Sequence, residues 1–244
     1  MTSKEKSNIQ ESLVKLYLRL NGYFTTGFII HSSYNKINSE IDNISIRFPH
    51  HNQNDTEHNS SEYLGISKNI DIIISEVKSK NIKLQFNKSL YEKNCNQNWN
   101  KLLSWIGVFS SSQIDKISTE IIEIIKPTQN SNLKNFRSIE NIKTDFGLVN
   151  LRAILFSPEK TSTNSSDKII NWTEINDFIW LCLCPNKERI NCGTRYDFNA
   201  WGIEFKDIIK AYKSRQKNQN KFKDINELYH DISIIATANS GLAQ

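Results

Sequence analysis

The chain has 244 residues, a formal net charge of +5, and a composition that is 38% hydrophobic and 23% charged. That length suits one large domain, or a core of roughly 150 residues with an appendage. No apolar run approaches the roughly 20 residues that cross a bilayer, and the opening MTSKEKSNIQESLVK lacks the segments of a secretory signal, so a cytoplasmic protein without a membrane partner is expected. The four cysteines, Cys95, Cys182, Cys184 and Cys192, are too few and too irregularly spaced for a disulfide framework. The basic balance tilts toward a polyanionic partner.

Over residues 5–21, Ile9, Leu13, Leu16, Tyr17 and Leu20 fall at the three-to-four spacing of an amphipathic helix, and Gly22 follows as a stop. Residues 23–32, rich in aromatic and β-branched side chains, predict a strand; residues 40–48 predict a second, closed by Pro49, and the two are expected to form a hairpin. Residues 50–68 are polar and aperiodic, a long loop. DIIISEVKSK, residues 71–80, supplies a third strand. Beyond it, Trp99, Leu102, Leu103 and Ile106 mark a helix, and residues 111–126 a second one ended by Pro127. Residues 148–156, LVNLRAILF, predict a buried strand that returns to the sheet.

A Ser/Thr-rich link at 160–168 reads as a boundary or a surface loop. After it come two helical stripes, one of Ile175, Phe178, Ile179 and Cys182, the other of Trp201, Phe205, Ile208, Ile209 and Tyr212. The expected organisation is therefore an α/β core over residues 1–158, followed by a mainly helical, basic region over 159–244 packed on that core.

Alternation along the third strand puts Ile72, Ile74, Glu76 and Lys78 on one side. In the second strand, Asp42, Ile44, Ile46 and Phe48 share a side in the same way. Antiparallel pairing sets the beginning of one strand beside the end of the other, so Asp42 is expected near Glu76. Charges on a core-facing row are costly unless compensated. A divalent cation would compensate them, and hard oxygen ligands suit Mg²⁺ or Mn²⁺. Such an ion polarises water, and Lys78 could orient that water or stabilise charge developing in the transition state.

Asp42, then Glu76-Val77-Lys78 after a helix-led run of strands, resembles the PD-(D/E)xK (restriction-endonuclease-like) nuclease superfamily, whose core runs αβββαβ. The resemblance covers roughly residues 5–156. It implies a central mixed sheet flanked by helices and a metal-dependent nuclease that hydrolyses phosphodiester bonds. It implies that Asp42 and Glu76 bind the metal together with the carbonyl of Val77, that Lys78 assists hydrolysis, and that Glu11 on the first helix joins the site. DNA is favoured over RNA, in a bacterial phage-defence or restriction system, with a homodimer or a protein partner compatible with that setting. The sequence departs from the strict pattern in having Ile41 before Asp42 where the motif has proline. The alternative is a non-catalytic subunit of the same fold that binds DNA or protein within a defence complex.

Other residues receive plainer expectations. Glu40 is read as a solvated edge residue facing away from Asp42, and Asp71 as structural. His50, His51, Asp55 and His58 read as a solvated loop, Cys182, Cys184 and Cys192 as core thiols, and Trp99, Trp105, Trp180 and Trp201 as helix core positions. Within the basic stretch KDIIKAYKSRQKNQNKFK, residues 206–223, the side chains Lys206, Lys210, Lys213, Arg215 and Lys217 are candidates for phosphate contact.

Overall fold

A computed structural model of the chain describes residues 1–31, 37–51, 61–80, 83–127, 137–161, 169–185 and 202–241. Trp201, Asp55, His58 and Cys192 lie outside the described residues.

Helix α1 (Ser3–Leu20) begins with a reciprocal cap. The Glu5 amide donates to the Thr2 side chain, and the Glu5 carboxylate accepts the Thr2 N–H. Its stripe of Leu13, Leu16, Tyr17 and Leu20 is buried as the spacing predicts. The chain then turns through Gly22, whose φ of 85° lies in the left-handed region that glycine enters without strain. Strands β1 (Phe24–His31), β2 (Ile37–Arg47) and β3 (Ile70–Val77) follow, each antiparallel to the one before. Helices α2 (Cys95–Ile106) and α3 (Ser111–Ile125) carry the chain over one face of the sheet.

Next come β4 (Arg137–Thr144), β5 (Gly147–Ser157) and the short β6 (Ile169–Asn171), then α4 (Trp172–Leu183), α5 (Ile203–Gln216) and α6 (Ile225–Gly241). The six-stranded sheet has the order β1-β2-β3-β5-β4, with β6 also on β5. It is mixed: β5 runs parallel to β3 and β6 and antiparallel to β4. A parallel partner needs a long crossover, which α2 and α3 supply. Strand β3 is therefore central and buried on both faces. Ile73 packs with α1, α4, α5 and α6, while Ile72 and Ile74 pack with α2 and α3.

Strands β4 and β6 carry no clear signal in the sequence. Strand β4 has a broken register between Ile139 and Ile142, with Asn141 at φ 57°, so its two apolar side chains do not alternate. Strand β6 has three residues and adjoins the Ser/Thr-rich link. With β6 in the sheet and α4, α5 and α6 sharing one apolar cluster with α1, β3 and β5, the C-terminal region forms one of the two layers that cover the sheet. Among the described residues no helix is long and apolar enough to cross a membrane.

Candidate active site

The site forms where β3 leaves the sheet. The β2–β3 register pairs Ile44 with Ile74 and Asn43 with Ser75; one step further it sets Asp42 opposite Glu76. On the other side of β2, Thr26 pairs with Ile44 but Phe28 with Ile41, so Gly27 alone faces both Asp42 and Asn43. Two residues against one is a β-bulge, a device that re-aims side chains. It breaks the simple alternation assumed from sequence at the position of Asp42.

A closed set of hydrogen bonds holds the acidic and basic groups. The Val77 N–H donates to Asp42 Oδ2 at 2.7 Å. Lys78 Nζ donates to Glu76 Oε2 at 2.7 Å and to Asn87 Oδ1 at 2.8 Å, and Asn87 Nδ2 donates to Glu76 Oε1 at 3.0 Å. Asn87 also donates to the Glu40 carbonyl at 3.2 Å, tying the loop after β3 to β2. The Lys78 N–H donates to the Phe156 carbonyl at 2.8 Å, so the β3–β5 ladder continues to the lysine and fixes its backbone.

Electrostatics set these acids apart. Burial pushes the Glu76 carboxyl up to about 7; the Lys78 ammonium opposes the rise, while the charges of Asp42 and Glu40 add to it. Asp42 is raised above the usual carboxylate range, first by burial, against the pull of the Val77 N–H and Lys78. Glu11 on α1, which accepts a hydrogen bond from Ser7 at 3.3 Å, is also raised, first by burial and then by the charge of Asp42. Glu40 is exposed as expected, but it does not stand apart from the site: its charge acts on Asp42, Glu76 and Glu11 alike. One corner thus gathers negative charge that Lys78 and Lys15 neutralise only in part.

Among the described residues no three His, Cys, Asp or Glu side chains are grouped closely enough to hold a metal ion. Mg²⁺ takes as few as one or two carboxylates and keeps several waters. The donor chemistry of Asp42, Glu76 and the Val77 carbonyl suits such an ion, and the raised carboxyls mark a place where added positive charge would be stabilising.

Two residues absent from the sequence reading support this corner. Asn87 bridges Glu76 and Lys78, yet a lone asparagine in a loop carries no signal at sequence level. Gln10, buried in α1 beside Glu11, donates to the Tyr229 hydroxyl at 2.9 Å and to Glu159 Oε1 at 3.2 Å. Glu159 Oε2 in turn accepts the Lys80 N–H at 2.8 Å. Helix α6 thereby reaches the strand end through Tyr229.

The remaining candidates lie elsewhere. Asp71 is buried and accepts hydrogen bonds from the Tyr23 hydroxyl at 2.5 Å and from Arg152 Nε at 2.9 Å, with Arg47 at 3.4 Å, a structural knot at the other end of β3. The His51 ring packs against Gly22, where an added Cβ would fall 2.2 Å from it, and His50 is exposed. Cys182 and Cys184 are buried thiols, and burial pushes Cys184 up to about 12.

In the basic stretch, Arg215 is committed internally: it pairs with Glu227 and Asp231, each at 2.7 Å, and stacks on Phe222. Lys213 donates to the Leu183 carbonyl and to Gln216, and Lys221 pairs with Asp177. Lys206 and Lys210 are half-buried, and Lys217 is exposed. Trp99 is fully buried, with its Nε1 donating to the Leu90 carbonyl at 2.8 Å, but Trp105 corrects its expectation as a core residue because it is 53% exposed.

No family model matches the chain, and no curated protein or solved structure matches it.

Proposed function

We propose that the protein is a metal-dependent nuclease of the PD-(D/E)xK kind, hydrolysing phosphodiester bonds in DNA by attack of water. The observation that carries this reading is the end of β3. Asp42 accepts the N–H of Val77, the residue after Glu76, Lys78 is held on Glu76 by a 2.7 Å ion pair, and the acids are raised by burial and mutual repulsion. The order α1, β1, β2, β3, α2, α3, then β4 and β5, with β5 parallel to β3, supports a restriction-endonuclease-like fold.

Asp42 and Glu76, with the Val77 carbonyl, would hold one Mg²⁺ or Mn²⁺, which when bound supplies charge neutralisation and a more acidic water. The chain's own residues do the rest. Asn87 fixes the Glu76 carboxylate and the Lys78 ammonium by a hydrogen bond to each, so neither reorganises when charge builds on phosphorus. Lys78 presents protons toward the attacking water and the phosphoryl oxygens. Glu11, raised above its ordinary value by burial, lies where its carboxylate would add a donor oxygen to the ion. Lys217 and the half-buried Lys206 and Lys210 contribute positive charge for the phosphate backbone.

Incubation of the protein with plasmid, linear duplex, single-stranded DNA and RNA, each with Mg²⁺, Mn²⁺ or EDTA, tests this. Cleavage that needs the cation and falls about 100-fold or more in Asp42→Ala and Lys78→Ala is expected. Cleavage indifferent to EDTA, or to both substitutions, would refute it. Binding without cleavage of any substrate would favour a non-catalytic subunit.

A further inference from the structure

Trp105 lies near the end of α2 with 53% of its surface exposed, an unusual place for the largest apolar side chain. Its ring lies 4.9 Å, centroid to centroid, from that of Phe28 on β1, tilted by 43°. The two rings face a groove that Asn100, Lys101 and Ser104 line from α2 and His31 from β1. Lys101 Nζ donates to the His31 carbonyl at 2.9 Å, so its ammonium is fixed at the rim.

This groove lies beside the carboxylate corner. Phe28 pairs with Ile41, the neighbour of Asp42, and follows Gly27, which faces the bulge. Phe28 packs on the same side of the sheet as Ile72 and Ile74, the row that Glu76 continues. Strand spacing then puts the indole on the order of 10 Å from Asp42, a reach of one or two nucleotides. The groove is lined mostly by apolar surface, with Ile29 and Ile30 beside the two rings, and the Asn100 amide is committed to Asp115 and Ser118 on α3. What the groove offers a nucleic acid is the aromatic face and the Lys101 ammonium, within a chain of net charge +5.

We infer that Trp105, backed by Phe28, is a stacking platform for an unpaired DNA base next to the scissile phosphate, so that the preferred substrate is single-stranded or frayed DNA. The inference rests on the nuclease reading above. Every base has a π-face, so the platform is sequence-tolerant, and Lys101 provides a phosphate contact beside it. No pairing partner can occupy a base stacked there, which disfavours intact duplex.

The test measures, by fluorescence anisotropy in EDTA, binding of labelled dT12, rU12 and a 12-base-pair blunt duplex to the wild type, Trp105→Ala and Trp105→Phe. Circular dichroism melts verify folding of each variant. The expected result is that dT12 binding weakens about tenfold or more in Trp105→Ala, recovers in Trp105→Phe, and leaves duplex binding unchanged. Unaltered dT12 binding, an equal loss on duplex, or tighter retention of rU12 would overturn the platform. So would a wild-type dimer on gel filtration that Trp105→Ala dissolves, because the groove's occupant would then be a second copy. Parallel Mg²⁺ cleavage by Asp42→Ala separates the two claims. Unaltered dT12 binding alongside cleavage lost in Asp42→Ala sinks the platform alone, whereas a dT12 loss alongside cleavage indifferent to Asp42→Ala sinks the nuclease reading alone.

Discussion

Glu76 is the residue on which chemistry and stability meet. Its folded pKa of about 7 lies above its ordinary 4.5 because burial outweighs the Lys78 ammonium. An acid whose pKa rises on folding holds its proton more tightly in the native state, so stability falls as pH rises from about 4.5 through 7. In EDTA, the melting temperature is therefore expected to drop across that window. Glu76→Gln should flatten the dependence, and added Mn²⁺ should restore stability at the upper end. A melting temperature independent of pH between 5 and 7.5 in EDTA would contradict this account.

Asn87 yields a second prediction at the same scale. Asn87→Ala should lower kcat about tenfold or more with little change in KM, because it frees Glu76 and Lys78 to reorganise. A change confined to KM would indicate substrate contact instead. The candidates Asp42, Glu76 and Lys78 were legible in the sequence because an acid and a base interrupt apolar rows. Asn87 was not legible, since its role depends on where a loop returns. Trp105 continues the helical stripe of Trp99, Leu102 and Ile106, but it packs on Phe28 of the edge strand β1 and so stays half open to solvent.

Among the elements, the first helix and first three strands were read within a few residues of their bounds, except for the start of β2. Each carries one clear period: 3.6 with a glycine stop for α1, and dense β-branched or aromatic runs for β1 to β3. The bulge facing Gly27 was not readable, because a two-against-one register leaves no mark in one strand alone. An ideal Cβ on Gly27 would lie 3.5 Å from the Asp42 carbonyl oxygen, an ordinary contact. Gly27→Ala is thus expected to fold and to gain on the order of 0.5 kcal/mol from reduced chain entropy, measured by urea unfolding. A loss above about 1 kcal/mol would mean that the bulge depends on glycine itself.

For the whole molecule, composition and length pointed to a core plus a helical extension, and the periodic stripes of α4 and α5 were readable. That the extension packs on the core is expected from the sequence, but not that it shares a layer with α1, because burial against α1 is a long-range property. Leu228, Tyr229 and Ile232 of α6 share one cluster with Leu13, Tyr17 and Phe156, and Tyr229 bonds Gln10 beside Glu11. A chain truncated after residue 158 is therefore expected to lose cooperative unfolding and to be rapidly proteolysed. A truncated core that melts cooperatively would show that the C-terminal layer is dispensable.

All of these scales converge on the corner where Asp42 meets Glu76, and the binding of Mn²⁺ by titration calorimetry tests it most directly. One Mn²⁺ per chain is expected in the wild type at pH 7.5, with binding lost in Asp42→Ala and Glu76→Ala and retained in Trp105→Ala. Wild-type protein that binds no Mn²⁺, or binding that survives both carboxylate substitutions, would contradict it.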